Sequence, residues 1–131
     1  MKWSAKGQVW DRVRKKAVAA TPEEQVRQRF IAFLQGIGCP LSAIQVEYKV
    51  GNGRFDVAVW RPEGDLWLLA ECKAVSHPVE EKAWLQARMQ LARYLRALPP
   101  VRYGAVVINE KMWWWRIDTG EVLTVVPIYP A

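Results

Sequence analysis

Arg54 to Lys73 reads RFDVAVWRPEGDLWLLAECK. Two apolar runs within it, Phe55 to Trp60 and Leu66 to Cys72, are bounded by polar or Gly/Pro residues and are short enough to be strands. Arg61-Pro62-Glu63-Gly64-Asp65 between them predicts a turn. A hairpin closing symmetrically about Glu63 and Gly64 sets Asp56 opposite Glu71, and directly opposed residues have Cβ atoms roughly 4.5 to 5.5 Å apart. Side chains alternate along a strand, so Lys73 joins Glu71 and Arg54 joins Asp56 on one face, while Phe55, Val57, Ala70 and Cys72 take the other. Two carboxylates at that spacing repel unless a cation lies between them. Oxygen ligands suit hard ions such as Mg²⁺ or Mn²⁺. The alternative is an ion-pair cluster in which Asp56 pairs with Arg54 or Lys73 and Glu71 with Lys73; spacing alone leaves both open.

Working outward, Ile44 to Val50 alternates as IQVEYKV and is followed by Gly51-Asn52-Gly53, so it pairs with Arg54 to Trp60 in a meander. Thr21-Pro22-Glu23-Glu24 is a helix start, with Thr as N-cap, Pro at the first helical position and Glu at the third to close a capping box. That helix is expected to run to about Gln35 and stop at Gly36 or Gly38, burying Val26, Phe30, Phe33, Leu34 and Ile37. Glu23 falls within this stripe and Glu24 at its edge. After Ser76-His77-Pro78 a second helix is expected from about Val79 to Ala97. Val101 to Ile108 reads as a buried strand parallel to another after a helical crossover. Asn109-Glu110-Lys111 then turns into Met112 to Ile117, and Thr119-Gly120 into Val122 to Tyr129. Trp113-Trp114-Trp115 must divide between the faces of its strand, leaving a Trp to stack on a base or to pack on a second subunit.

Several of these segments carry a resemblance. Asp56 followed by Glu71-Cys72-Lys73 on adjacent strands resembles the PD-(D/E)XK nuclease core, with Phe55-Asp56 in place of Pro-Asp. TPEEQVRQRF (21–30), RFDVAVW (54–60), LLAECKA (68–74), QLARYL (90–95) and VVIN followed by WWRID together are similar to the N-terminal nuclease domain of the type I restriction enzyme R subunit and its small stand-alone relatives. The likeness runs from about Val9 to Asp118. It implies an α/β fold with a restriction-endonuclease-like core, a mixed central sheet flanked by helices. It further implies a metal-dependent nuclease acting on DNA, with Asp56, Glu71 and the Cys72 backbone carbonyl holding Mg²⁺ or Mn²⁺ and Lys73 orienting water or stabilising charge. Glu23 or Glu24 would complete the shell, and Gln90, four before Tyr94, would support it. The family usually has Gly after the Asn at 109; Glu110 departs from that.

At 131 residues the chain is expected to be one domain, 1–131, with Met1 to Gln8 a basic arm that is disordered or weakly ordered. A net charge of +6 favours polyanionic partners. Arg12, Arg14, Lys15 and Lys16, with Arg54, are the expected phosphate contacts. Two cysteines have neither metal-ligand spacing nor the density of a disulfide scaffold, and His77, in a loop before the second helix, is expected to be an exposed polar side chain without a catalytic role. No signal sequence or membrane span is evident, so a cytoplasmic protein is expected. A homodimer or a partner subunit stays open. So do a binding module that kept the fold without catalysis, a structural interaction protein, and a metal hydrolase of small substrates.

Overall fold

The computed structural model describes residues 7–50, 53–76, 80–95 and 100–130. The arm up to Lys6, the Gly51-Asn52 tip, His77, and the expected ends of the second helix at Val79 and Ala97 lie outside the described residues. The elements run β1 (Gln8–Asp11), β2 (Lys16–Ala19), α1 (Pro22–Gly36), a 3₁₀ turn (Leu41–Ala43), β3 (Ile44–Val50), β4 (Gly53–Trp60), β5 (Leu66–Lys73), α2 (Glu80–Leu95), β6 (Val101–Ile108), β7 (Lys111–Arg116) and β8 (Val122–Leu123). β1 and β2 form a small hairpin of their own, and the other six strands make one sheet in sequence order. Among the described residues β5 and β6 alone pair in parallel; the α2 crossover makes that possible. The fold is α/β with a mixed sheet, in accord with a restriction-endonuclease-like core. Among the described residues no helix is long and apolar enough to cross a membrane.

Strand alternation divides the core. Val57, Val59, Leu68, Ala70, Cys72, Ala105, Val107 and Trp114 pack with Val26, Phe30, Ile31 and Leu34 of α1. Ala58, Leu69, Val106, Ile108 and Trp115 pack with Ala83, Ala87 and Leu91 of α2. Gly104 makes room for this second layer: a Cβ there would stand 2.5 Å from the Trp115 ring. Cys39 and Cys72 are free and buried.

The hairpin register keeps the expected symmetry at Val57↔Ala70, Ala58↔Leu69 and Val59↔Leu68; a bulge between Val59 and Trp60 absorbs the turn. The last expected strand is shorter than its apolar pattern, because Pro127 and Pro130 lack the N–H a ladder needs. That segment is a strap instead, with the Tyr129 N–H bonded to the Ile37 carbonyl and its hydroxyl donating to the Trp60 carbonyl. At Asn109-Glu110 the left-handed conformation falls on Asn109 alone (φ 56°), so Glu110 fits where glycine was expected.

Candidate functional site

The site forms where the sheet stops being regular. β3 and β4 change face at the same rung: Val46 and Val57 lie in the α1-side core, whereas Tyr48 and Phe55 lie in the α2-side core. Between them are Glu47, whose φ of 53° is left-handed, and Asp56. The regular ladder between β3 and β4 steps over this rung, from Val46↔Val57 to Tyr48↔Phe55. The expectation that Phe55 shares the face of Val57 is corrected here: this local twist interrupts the two-residue alternation. A non-glycine residue held in that region costs of order 1 kcal/mol or more, and such strain persists only where surrounding contacts enforce it.

Those contacts come from α1. Thr21 caps the helix, its hydroxyl accepting the Glu24 N–H at 3.1 Å. The reciprocal half of the capping box is replaced, because the Glu24 carboxylate turns to Arg27, Arg14 and Gln28. The expected placement of the two glutamates is reversed: Glu24 is buried, whereas Glu23 is exposed. Arg27 is the residue that sequence reasoning missed. It is only 8 % exposed, is bonded to both Glu24 oxygens, and lies 3.9 Å from carboxylate oxygens of both Glu47 and Asp56. Burial alone would lower its pKa, but Glu24, Asp56 and Glu47 outweigh that and raise it. Burial likewise would raise Glu24, and the bonds from Arg27 and Gln28 with the charges of Arg27 and Arg14 bring it below its ordinary value. An arginine next to a helical apolar stripe carries no sequence signal of burial. The excess of nearby acids at Glu24, Glu47 and Asp56 is the one hint.

Asp56 accepts the Cys72 N–H at 2.7 Å, so its side chain takes the place of a backbone partner where the β4–β5 ladder ends. Glu71 lies across from it, 7 % exposed, with its carboxyl in hydrogen-bonding reach of Asp56. Burial, then the Asp56 carboxylate, push the Glu71 pKa up to about 8; Lys73 pulls it down, and the shared hydrogen bond and Glu23 raise it further. Glu71 therefore favours its protonated form at neutral pH, and Lys73 and Glu23 are both close enough to be felt. The Lys73 carbonyl accepts from the Asn109 N–H, and the Asn109 amide clips both backbone groups of Val75, which anchors the chain just beyond Lys73.

A small cleft of about 110 Å³ beside Asp56 is lined by Thr21, Glu23, Glu24, Arg27, Glu47 and Arg54. Arg54 is mostly exposed and 3.9 Å from Glu47. Gln90 is not brought to this cleft. It is half-buried, and lies roughly 15 Å along α2 from Glu80. The helix end near the site is the first turn, where Glu81 meets Lys111 and Trp113.

The expected phosphate contacts of the basic lead-in fold inward in part. Arg14 bridges Asp11, Glu24 (3.1 Å) and Glu47 (3.5 Å). Asp11 is fully buried, which would raise its pKa, yet bonds from the Arg14 backbone and side chain and from the Val13 N–H hold it below its usual value. Arg12 donates to Gln35 and, through its N–H, to Gln28. Lys15 occupies the turn with φ 55°, and Lys16 is exposed at the start of β2. Arg14→Gln is thus expected to lower stability by about 2 kcal/mol, because it strips a partner from three carboxylates. Lys15→Gln with Lys16→Gln should leave the urea midpoint unchanged; a midpoint shift in the lysine double variant equal to that of Arg14→Gln would refute this division.

Mg²⁺ binds through one or two carboxylates and completes its shell with water and substrate phosphate. A pair of carboxyls in hydrogen-bonding reach of each other, with the Cys72 carbonyl beside it in sequence, fits such an ion. It does not fit a cage made wholly of protein, and among the described residues no set of three or more metal-ligating side chains converges. A search of curated proteins and of solved structures returns no match. The family described as Type I restriction enzyme R protein N terminus (HSDR_N) matches residues 22–127, from the first residue of α1 to the strap. Spanning the helix acids, the Asp56–Glu71 pair and the crossover, that match shows that the chain belongs to the type I restriction enzyme R N-terminal family.

Proposed function

We propose that the protein is a divalent-metal-dependent nuclease that hydrolyses phosphodiester bonds of DNA at Asp56, Glu71 and Lys73. The family suggests a nuclease-related role and interaction with DNA. The observation that carries the finer reading is the close approach of the Asp56 and Glu71 carboxyls, within hydrogen-bonding reach where the β4–β5 ladder opens, with burial favouring the protonated form of Glu71. Stability alone gives no reason to bury Glu71 against Asp56, whereas a site that exchanges the proton for a cation does. Asp56 and Glu71 would hold Mg²⁺ or Mn²⁺ with the Cys72 backbone carbonyl. When bound, the ion supplies a Lewis acid for the phosphate and acidifies a water. Lys73, on the face of Glu71, stabilises the charge that develops on the phosphate. Glu23 rather than Glu24 is the helix acid available to the site, since Glu24 is saturated by Arg14, Arg27 and Gln28. Arg54, at the mouth of the cleft, is placed to meet the phosphate backbone.

The test is cleavage of plasmid and single-stranded DNA with Mg²⁺ or Mn²⁺. Asp56→Asn is expected to abolish cleavage, and Lys73→Met to lower its rate roughly 100-fold or more while calorimetric Mn²⁺ binding survives. Absence of both metal binding and cleavage in the unaltered protein would replace this reading with a second one, a silent nucleic-acid-binding or protein-interaction module. The lack of a third converging acid among the described residues is the observation that favours that alternative.

A further inference from the structure

On the α2 side of the sheet, cross-strand rows connect the candidate site to an aromatic pair. Glu71 registers with Val106, and Val106 with Trp113; in the next row Lys73 registers with Ile108, and Ile108 with Lys111. Val106 and Ile108 face α2, so Glu71, Lys73, Lys111 and Trp113 lie on one face at one end of the sheet. Two strand spacings put Trp113 roughly 10 Å from Glu71. Trp113 stacks on Trp84 of α2, with ring centroids 5.5 Å apart and planes 6° from parallel. Arg88 braces the pair from behind, its guanidinium 5.3 Å from the Trp84 ring centre and 5.4 Å from that of Trp115, with its Nη2 donating to the Gly120 carbonyl at 3.0 Å. A cleft of about 220 Å³ opens beside the pair and is lined by Glu81, Leu85 and Lys111 as well.

We propose that Trp113, backed by Trp84, is a stacking subsite for one unpaired nucleobase of the strand whose phosphate lies at Glu71 and Lys73. This rests on the nucleic-acid reading of the site and names its substrate class. Trp113 is half-buried and lines this cleft, and a braced indole has little side-chain freedom left to lose when a flat ring docks there. Trp114, which turns to the other face of the same strand, is used in the core instead. A base inside a duplex has both faces covered by its neighbours, so this platform favours single strands and frayed ends. The nearby Lys111 adds phosphate attraction of the kind a protein partner would not need.

Anisotropy titrations in EDTA, which prevents cleavage, would compare a labelled single-stranded oligonucleotide with its duplex for the full chain. Trp113→Leu is expected to weaken single-strand binding roughly tenfold or more while leaving the slope of log affinity against log salt unchanged, since no phosphate contact is lost. Duplex binding should not change, and Trp113→Phe should retain most of the single-strand affinity. Independently of any variant, an oligonucleotide carrying 5-iododeoxyuridine should photocrosslink to the unaltered protein within Lys111–Arg116. Equal single-strand binding by Trp113→Leu, or crosslinks confined to other peptides, would overturn the subsite and leave the nuclease reading standing. Failure of the unaltered protein to bind either oligonucleotide would overturn both.

Discussion

Without divalent metal, Glu71→Gln is expected to melt about 10 °C above the unaltered protein at pH 8 and close to it at pH 5. The folded Glu71 carboxyl ionises at about 8, against 4.5 for an ordinary glutamate. The folded state therefore holds a proton that the unfolded chain releases. Its stabilising effect is complete below the unfolded pKa and is lost as pH rises through the folded one. Between pH 4.5 and 8 the unaltered protein should lose up to about 5 kcal/mol. Glutamine is neutral throughout that window and can donate to Asp56, so the variant escapes the loss. Saturating Mn²⁺ should flatten the pH dependence of the unaltered protein and do nothing for Glu71→Gln. Thermal melts from pH 5 to 8 with and without Mn²⁺ decide it, and a variant that melts below the unaltered protein at pH 8 would make Glu71 a structural ion-pair member. The two acids are not equivalent here. Asp56→Ala should destabilise the metal-free protein, because the Cys72 N–H loses its partner.

The second large effect belongs to Arg27. Arg27→Met should cost about 3 to 5 kcal/mol at neutral pH, since it leaves buried Glu24 without its two-pronged partner and removes a buried cation from beside Glu47 and Asp56. Arg27→Lys should recover only part of this, because an ammonium cannot reproduce the fork. The sign with pH follows from Glu24. Its pKa is held down in the unaltered protein, which favours folding above the unfolded value and loses that advantage as pH falls. In Arg27→Met burial acts with fewer opposing bonds, so the deficit relative to the unaltered protein should shrink as pH drops toward 4. Urea unfolding at pH 7 and pH 4 measures both; a deficit that grows on acidification would contradict the assignment.

Much of this architecture is written in local pattern. The strands β3, β4, β5 and β6, the α1 cap and the parallel crossover follow from apolar runs and Gly/Pro punctuation. The pairing of Asp56 with Glu71 follows from counting residues about Glu63 and Gly64. What local pattern conceals is tertiary. The β1–β2 hairpin has no strand pattern to announce it, because its core contribution is Val9 and its hub is the charged pair of Asp11 and Arg14. Burial of Arg27 and Glu24 depends on acids brought from β3 and β4, which no helical periodicity registers. The shared face change at Glu47 and Asp56 is invisible to a rule that assumes strict alternation. Gln90 was carried to the site by resemblance, and it is not among the residues that line the cleft beside Asp56.

The parallel pairing of β5 with β6 also orders events in time. β4 and β5 meet across the short Arg61–Asp65 turn, whereas β6 reaches β5 only after α2 has crossed over. Loop-closure entropy favours the local hairpin first and delays the distant strand. Asp56 and Glu71 thus come together while water still surrounds them, and lose that water when β6 and α2 arrive. Proton uptake by Glu71 belongs to this late docking, so the refolding rate of the metal-free chain is expected to fall as the medium becomes alkaline.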